Sequence, residues 1–128
     1  MATFDGTPGP DTHTGVADEP NIINGLDGND TLTGSPMGSI TNDIIDGGAG
    51  EDSLDGGGGS DQIFGGADDD YLTTGTSNLQ GAADTLDGGT GADTMVGAEI
   101  GPTTYYVDNI GDVVTELGGA ERDWVFST

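Results

Sequence analysis

The feature that most constrains how this 128-residue chain can fold is a period of nine residues. The unit is G-G-x-G-x-D-x-U-x, where U is a large apolar residue, and residues 47–55, 56–64 and 88–96 match it at every specified position. Residues 6–14, 25–33 and 65–73 match it with one or two substitutions, and weaker copies continue after short insertions at 34–37 and 74–78. A fixed register of this kind indicates a repeat fold in which each unit packs on its neighbours.

Each repeat is expected to form a turn followed by a short strand. The glycines suit a turn whose backbone visits positive φ and exposes its carbonyls, and the apolar eighth position suits a strand that faces a core. No stretch has the apolar spacing of a helix, so we expect an all-β fold. The sixth position holds Asp11, Asn21, Asp30, Asp43, Asp52, Asp61, Asp70, Asp84, Asp93, Thr103, Asp112 and Asp123. The eighth holds His13, Ile23, Leu32, Ile45, Leu54, Ile63, Leu72, Leu86, Met95, Tyr105, Val114 and Val125.

The composition is strongly acidic. The chain has 24 Asp and Glu residues against one Lys or Arg, and its net charge is −23. Nucleic-acid binding requires cations that neutralise phosphates, and anionic membranes select basic segments, so neither is an expected partner. No apolar run is long enough to insert into a membrane. The chain contains no cysteine, so it has no disulfides. A cation is the partner that remains.

The nonapeptides resemble the RTX (repeats-in-toxin) calcium-binding repeats of haemolysin-type proteins, over roughly residues 6–127. The resemblance implies a right-handed parallel β-roll, a solenoid of stacked glycine-rich turns and short strands with two repeats in each coil. The expected organisation is one domain, 1–128, with core repeats at about 6–96 and degenerate closing repeats at about 97–128. The segment "TYYVDNIGDVVTELGGAERDWVFS" is similar to the part that closes many such arrays.

Stacking of the coils would bring the sixth-position aspartates together along two edges. At a strand spacing of about 4.8 Å, neighbouring carboxylates repel by about 3–4 kcal/mol at an effective dielectric of ~20, so the metal-free roll should not form. A cation between coils reverses this effect. Carboxylate and carbonyl oxygens favour Ca²⁺ over Mg²⁺, and a chain with one His and no Cys is a poor ligand for Zn²⁺ or Cu²⁺. We therefore expect several calcium ions.

The predicted metal ligands are sixth-position aspartates and the carbonyls of turn glycines. Better-filled sites are expected on the edge that joins Asp30, Asp52, Asp70 and Asp93, with weaker ones between Asp43, Asp61 and Asp84. The full predicted set is Asp11, Asp30, Asp43, Asp52, Asp61, Asp70, Asp84, Asp93, Gly28, Gly47, Gly50, Gly56, Gly59, Gly65, Gly88 and Gly91.

Two functions fit these observations, and neither is enzymatic, because the period alone explains the spacing of the carboxylates. The first is a calcium-folded module of a secreted or surface protein. The second is a calcium-stabilised structural or decoration subunit of a larger assembly, such as a virion or surface layer. Partner contacts would use the two inserted loops or the aromatic C-terminal end, where Trp124, Phe126, Tyr105 and Tyr106 occur. The favoured role of those aromatic residues is an apolar cap on the last coil, and the expected location is extracellular.

Overall fold

The fold consists of short strands joined by turns. The computed structural model describes residues 1–36, 38–75, 82–97, 100–118 and 122–128, and these residues contain no helix, so none that could cross a membrane. The strands are β1 (Ala2–Asp5), β2 (Thr12–Thr14), β3 (Asn21–Asp27), β4 (Thr31–Ser35), β5 (Ile44–Ala49), β6 (Ser53–Gly57), β7 (Gln62–Ala67), β8 (Tyr71–Thr73), β9 (Asp84–Thr90), β10 (Thr94–Gly97), β11 (Thr103–Val107), β12 (Val113–Glu116) and β13 (Trp124–Ser127).

The strands form two parallel sheets, and successive strands alternate between them. One sheet has the order β1-β3-β5-β7-β9-β11-β13 and the other has the order β12-β10-β8-β6-β4-β2. Each coil therefore contributes one strand to each sheet. The register is that of the repeat, because Leu32 is aligned with Leu54 and Leu54 with Leu72. The predicted all-β parallel β-roll is confirmed.

The core is a double column of eighth-position side chains between the two sheets. Each repeat supplies one of them because alternate residues of a strand point to opposite faces. The buried members, all at 0–1% exposure, are Ile23, Leu32, Ile45, Leu54, Ile63, Leu72, Leu86, Met95 and Tyr105. At the N-terminal end, the ring of Phe4 stacks on that of His13 with 3.9 Å between ring centroids. The core is narrow, with little apolar surface per repeat.

Most of the glycine-rich turns have left-handed backbone at the second repeat position, the fourth, or both. Gly48 and Gly50 have φ values of +107° and +125°, a region that glycine enters without steric cost. Two other residues occupy the same positions, Leu26 at +83° and Asp68 at +81°. Both are in a conformation that costs an L-residue about 1–2 kcal/mol. The repeat geometry therefore overrides local preference at these two turns.

Two sequence expectations need correction. The insertion at 34–37 was expected to bulge out, but Gly34 and Ser35 continue β4, and Ser35 is fully buried. In the insertion at 74–78, Thr74 is buried as well, and residues 76–78 lie outside the described part of the chain.

The aromatic residues near the C-terminus do not form the expected cap. Tyr105 is a core residue, but Trp124 and Phe126 remain 56% and 47% exposed. They lie on β13, the last strand of its sheet, and Phe126 stacks on Tyr106 with 5.5 Å between ring centroids. The side chains alternate along β13, so these two rings lie on the outer face of the sheet rather than across the end of the core.

Candidate metal sites at the edges of the roll

The sixth-position aspartates form two hydrogen-bonded ladders, one along each edge of the roll. On the first edge, the backbone N–H of each aspartate donates to Oδ1 of the aspartate one coil later, at 2.8–3.0 Å. This edge contains Asp11, Asp30, Asp52, Asp70, Asp93 and Asp112. The second edge has the same bonds at 2.7–2.9 Å where an aspartate is present. It contains Asn21, Asp43, Asp61, Asp84, Thr103 and Asp123. One carboxylate oxygen of each acceptor aspartate is thus used to hold the preceding coil in register.

The second oxygen of several ladder aspartates is buried without a hydrogen-bond partner among the described residues. These Oδ2 atoms belong to Asp30, Asp52, Asp70 and Asp93 on the first edge and to Asp61 on the second. Buried polar atoms in folded proteins nearly always have a partner, and an unpaired charged oxygen is especially costly. Five such atoms at equivalent positions of a repeat mark a place that a cation would fill.

The first glycine of each repeat opens the space around these oxygens. A Cβ on Gly47 would collide with Oδ2 of Asp52 and with the carbonyl oxygen of Gly65, one coil later. A Cβ on Gly56 would lie 2.7 Å from Oδ2 of Asp61 and 3.1 Å from the carbonyl oxygen of Thr74. Four of the five unpartnered oxygens, those of Asp30, Asp52, Asp61 and Asp70, thus lie beside a first-position glycine and a backbone carbonyl of the next coil, and we call this arrangement a cradle. Oδ2 of Asp93 lies beside Gly88 in the same way. These are hard oxygen donors, the type that Ca²⁺ prefers.

The fourth-position glycines do not lie beside the aspartate oxygens but contact the backbone of the preceding coil. Gly50, Gly59 and Gly91 all have positive φ, and a Cβ on any of them would collide with a backbone carbonyl oxygen of the preceding coil. Gly28 packs in the same way against Gly9 and Pro10. Their absent side chains allow successive turns to approach closely. The predicted ligand glycines are thus of two kinds, with Gly47, Gly56, Gly65 and Gly88 beside the aspartate oxygens.

Two ladder aspartates, Asp43 and Asp112, have both oxygens satisfied by the protein, and Asp11 has a partner for its Oδ2. Oδ2 of Asp11 accepts from the N–H of Thr7 at 2.5 Å, and Oδ2 of Asp43 accepts from the N–H of Ser35 at 2.6 Å. Oδ2 of Asp112 accepts from the N–H groups of Asp108 and Asn109, both at 3.0 Å. The predicted ligands Asp11 and Asp43 therefore lie on the ladders but do not present a spare buried oxygen. The buried donor Ser35 comes from the first insertion, which sequence reasoning had placed outside the roll.

Burial dominates the electrostatics of the ladder. It raises the pKa of Asp61 to about 8 and that of Asp70 to about 7, and neighbouring carboxylates add to the effect. The pKa values of Asp52 and Asp84 rise to about 6, and that of Asp93 also rises, again chiefly through burial. In the described residues no group of three or more His, Cys, Asp or Glu side chains converges. Backbone oxygens would therefore supply much of any metal coordination.

The second edge departs from the repeat near its C-terminal end. Thr103 stands at a sixth position and offers no carboxylate, so the N–H of Asp84 donates instead to the carbonyl of Pro102 at 3.2 Å. Nearby, the hydroxyl of Tyr105 donates to Oε1 of Glu116. Burial raises the pKa of both groups. Sequence reasoning did not single out Glu116, which occupies the place of a first-position glycine.

These features define a class: a parallel β-solenoid whose edges carry stacked aspartate–glycine turns suited to calcium. A family model of the RTX calcium-binding nonapeptide repeat matches the chain in four copies, over residues 18–36, 37–72 and 80–99. The match covers more than half of the chain, which therefore belongs to this haemolysin-type family of structural calcium-binding modules. Searches of curated proteins and of solved structures gave no significant match.

Proposed function

We propose that this roll binds several Ca²⁺ ions between successive coils and folds when it binds them. The observation that carries the proposal is the set of five buried, unpartnered aspartate oxygens, each beside a first-position glycine. On the first edge, Asp30, Asp52, Asp70 and Asp93 would hold calcium together with turn carbonyls such as those of Gly47, Gly65 and Gly88. On the second edge, Asp61 would do so. In this proposal the bound calcium has a structural role, as in the calcium-binding repeat family, and the module is not an enzyme.

The coupling to folding follows from charge and core size. The chain carries a net charge of −23, and the ladders bring its carboxylates to the spacing of adjacent strands. The apolar core must offset the repulsion between these carboxylates, and it consists of one side chain per repeat. Because the cradles exist only when coils are stacked, the free energy of calcium binding becomes free energy of folding.

An extracellular setting suits such a module. Extracellular calcium modules work at about 10⁻⁴–10⁻³ M, far above the range of cytosolic sensors, so a chain of this kind would be unfolded before export and folded after it. We therefore propose a structural module of a secreted or surface protein. The second candidate, a decoration subunit of a larger assembly, is favoured by the exposed Trp124 and Phe126 on the edge strand β13, because exposed aromatic residues are typical of interfaces.

Far-UV circular dichroism during a calcium titration tests the proposal. We expect a cooperative coil-to-β transition with Ca²⁺ and none with the same concentration of Mg²⁺ or with chelator. Asp70→Asn should shift the midpoint to higher calcium because it removes a charge from an unpartnered oxygen. Asp27→Asn is the matched control, since Asp27 is exposed at the third repeat position. A β-rich spectrum in chelator, or equal shifts in the two variants, would contradict calcium-coupled folding.

A further inference from the structure

Three departures from the repeat occur together at one place on the second edge. Thr103 replaces a sixth-position aspartate, Tyr105 replaces an aliphatic core residue, and Glu116 replaces a first-position glycine. The last of these is fixed by strand register, because Gly97 on β10 is aligned with Glu116 on β12. Earlier coils have Gly34, Gly56 and Thr74 in this column. The three changed residues meet beside Gly97, where Tyr105 contacts both Thr103 and Glu116, so their joint change concerns a single site.

The space beside the first-position glycine contains different atoms in a coil that follows the repeat and in the coil with the three departures. A Cβ on Gly56 would meet the unpartnered Oδ2 of Asp61 and the carbonyl oxygen of Thr74. A Cβ on Gly97 would instead meet the Tyr105 hydroxyl and Oε1 of Glu116. The ring of Tyr105 is fully buried in the core, and its hydroxyl reaches out of the core to the cradle. A side-chain hydrogen bond therefore lies where the other coils have a carboxylate oxygen and a carbonyl.

We propose that the Tyr105–Glu116 pair takes the place of a calcium ion at this last inter-coil position of the second edge. The inference rests on the proposed function, since it concerns which cradles hold metal. Thr103 cannot supply the carboxylate that a calcium site here would need. The phenol hydroxyl satisfies the Glu116 carboxylate directly, and burial, by raising the pKa of Tyr105, keeps that proton in place. The coil closes with protein groups alone.

Native mass spectrometry of the calcium-saturated protein counts the ions and tests this assignment. Glu116→Gln keeps an acceptor for the Tyr105 hydroxyl but removes the charge that a metal ligand would need. We expect it to bind as many ions as the wild type, whereas Asp61→Asn should bind at least one fewer. Loss of an ion in Glu116→Gln would overturn the assignment. A wild type that binds no calcium would refute the proposed function itself, which keeps the two failures distinct.

The reverse experiment restores the repeat. The triple variant T103D/Y105L/E116G has the family residues at all three positions, and we expect it to bind one ion more than the wild type. The variant Y106L/E51G is the matched control, because it makes the same Tyr→Leu and Glu→Gly substitutions at exposed residues. The number of calcium ions that it binds should not change. A folded triple variant with no extra ion would overturn the proposal. If the triple variant does not fold, the number of calcium ions bound by Glu116→Gln decides whether the proposal holds.

Discussion

Replacing a first-position glycine by alanine adds one methyl group beside the aspartate oxygen. Comparison with a glycine-to-alanine change elsewhere then distinguishes steric blocking of the calcium site from the general effect of losing a glycine. Gly47 does not have a left-handed φ, so Gly47→Ala introduces no backbone strain of that kind. The added Cβ would overlap both Oδ2 of Asp52 and the carbonyl oxygen of Gly65. The aspartate is fixed by its ladder bond and the carbonyl belongs to the next coil, so the coils must separate.

The expected cost has two parts. Overpacking of a close-packed site costs about 1–3 kcal/mol. Loss of one ion at a calcium concentration 100 times its Kd removes about 2.7 kcal/mol. Together they give about 4–6 kcal/mol, a large share of the roughly 5–15 kcal/mol by which most domains are stable. At the usual conversion this lowers Tm by about 10–20 °C.

Gly9→Ala is the matched control. Gly9 is also a turn glycine of the repeat, but it lacks a left-handed φ and a Cβ there would meet nothing within 4 Å. The substitution should stabilise the protein slightly, by about 0.4–1 kcal/mol, through the unfolded chain. Thermal melts and calcium titrations followed by circular dichroism measure both variants. If the two differ in stability by less than about 1 kcal/mol, the cradle geometry has no part in calcium binding.

Three further outcomes are expected. In chelator, the β signal should grow as the pH falls from 8 to 5. The pKa values of Asp61 and Asp70 are raised to about 8 and 7 in the folded state, whereas an unfolded carboxyl has a pKa of about 3.9, so in this range the folded state binds more protons and is stabilised as the pH falls. A flat profile would contradict this. Leu26→Gly should raise Tm, since it relieves a φ of +83° at a side chain that is 47% exposed, and a lower Tm would show that the Leu26 side chain is needed. A double-mutant cycle of Tyr105→Phe and Glu116→Leu, measured by chemical denaturation in calcium, should give a coupling of about 1–3 kcal/mol; additive losses would mean that the two groups act separately.

The core of this fold could be predicted from the period. The apolar eighth position predicts a core face, and Leu32, Leu54 and Leu72 lie there in one column. The sixth position fixes the ladders in the same way. The order of the strands follows from two repeats per coil, which the resemblance to RTX proteins implies and the period alone does not.

The period could not predict which aspartate oxygens have hydrogen-bond partners in the protein and which do not. Asp43 occupies a sixth position as Asp61 does, yet its Oδ2 is satisfied by the N–H of Ser35, which comes from an insertion. The Tyr105–Glu116 bond joins residues eleven apart, across a coil in which the repeat loses its register. A signal for it was present, since Glu116 and Thr103 both break the pattern, but only the strand alignment shows that they break it at the same place.

The insertions lie on the second edge of the roll, whereas the first edge departs from the repeat through substitutions such as Leu26 and Asp68. The first edge keeps glycine at every first position from Gly6 to Gly88, and it has four of the five unpartnered oxygens. The described parts of the two insertions, residues 34–36 and 74–75, instead lie at the ends of β4 and β8 in the six-stranded sheet, and so on the second edge, as does Glu116. A cradle is shared by two coils, so one irregular turn alters the sites on both sides of it. Because the insertions fall on the second edge, the first keeps a continuous row of unpartnered oxygens at Asp30, Asp52, Asp70 and Asp93, which can stabilise the stack while the other edge varies.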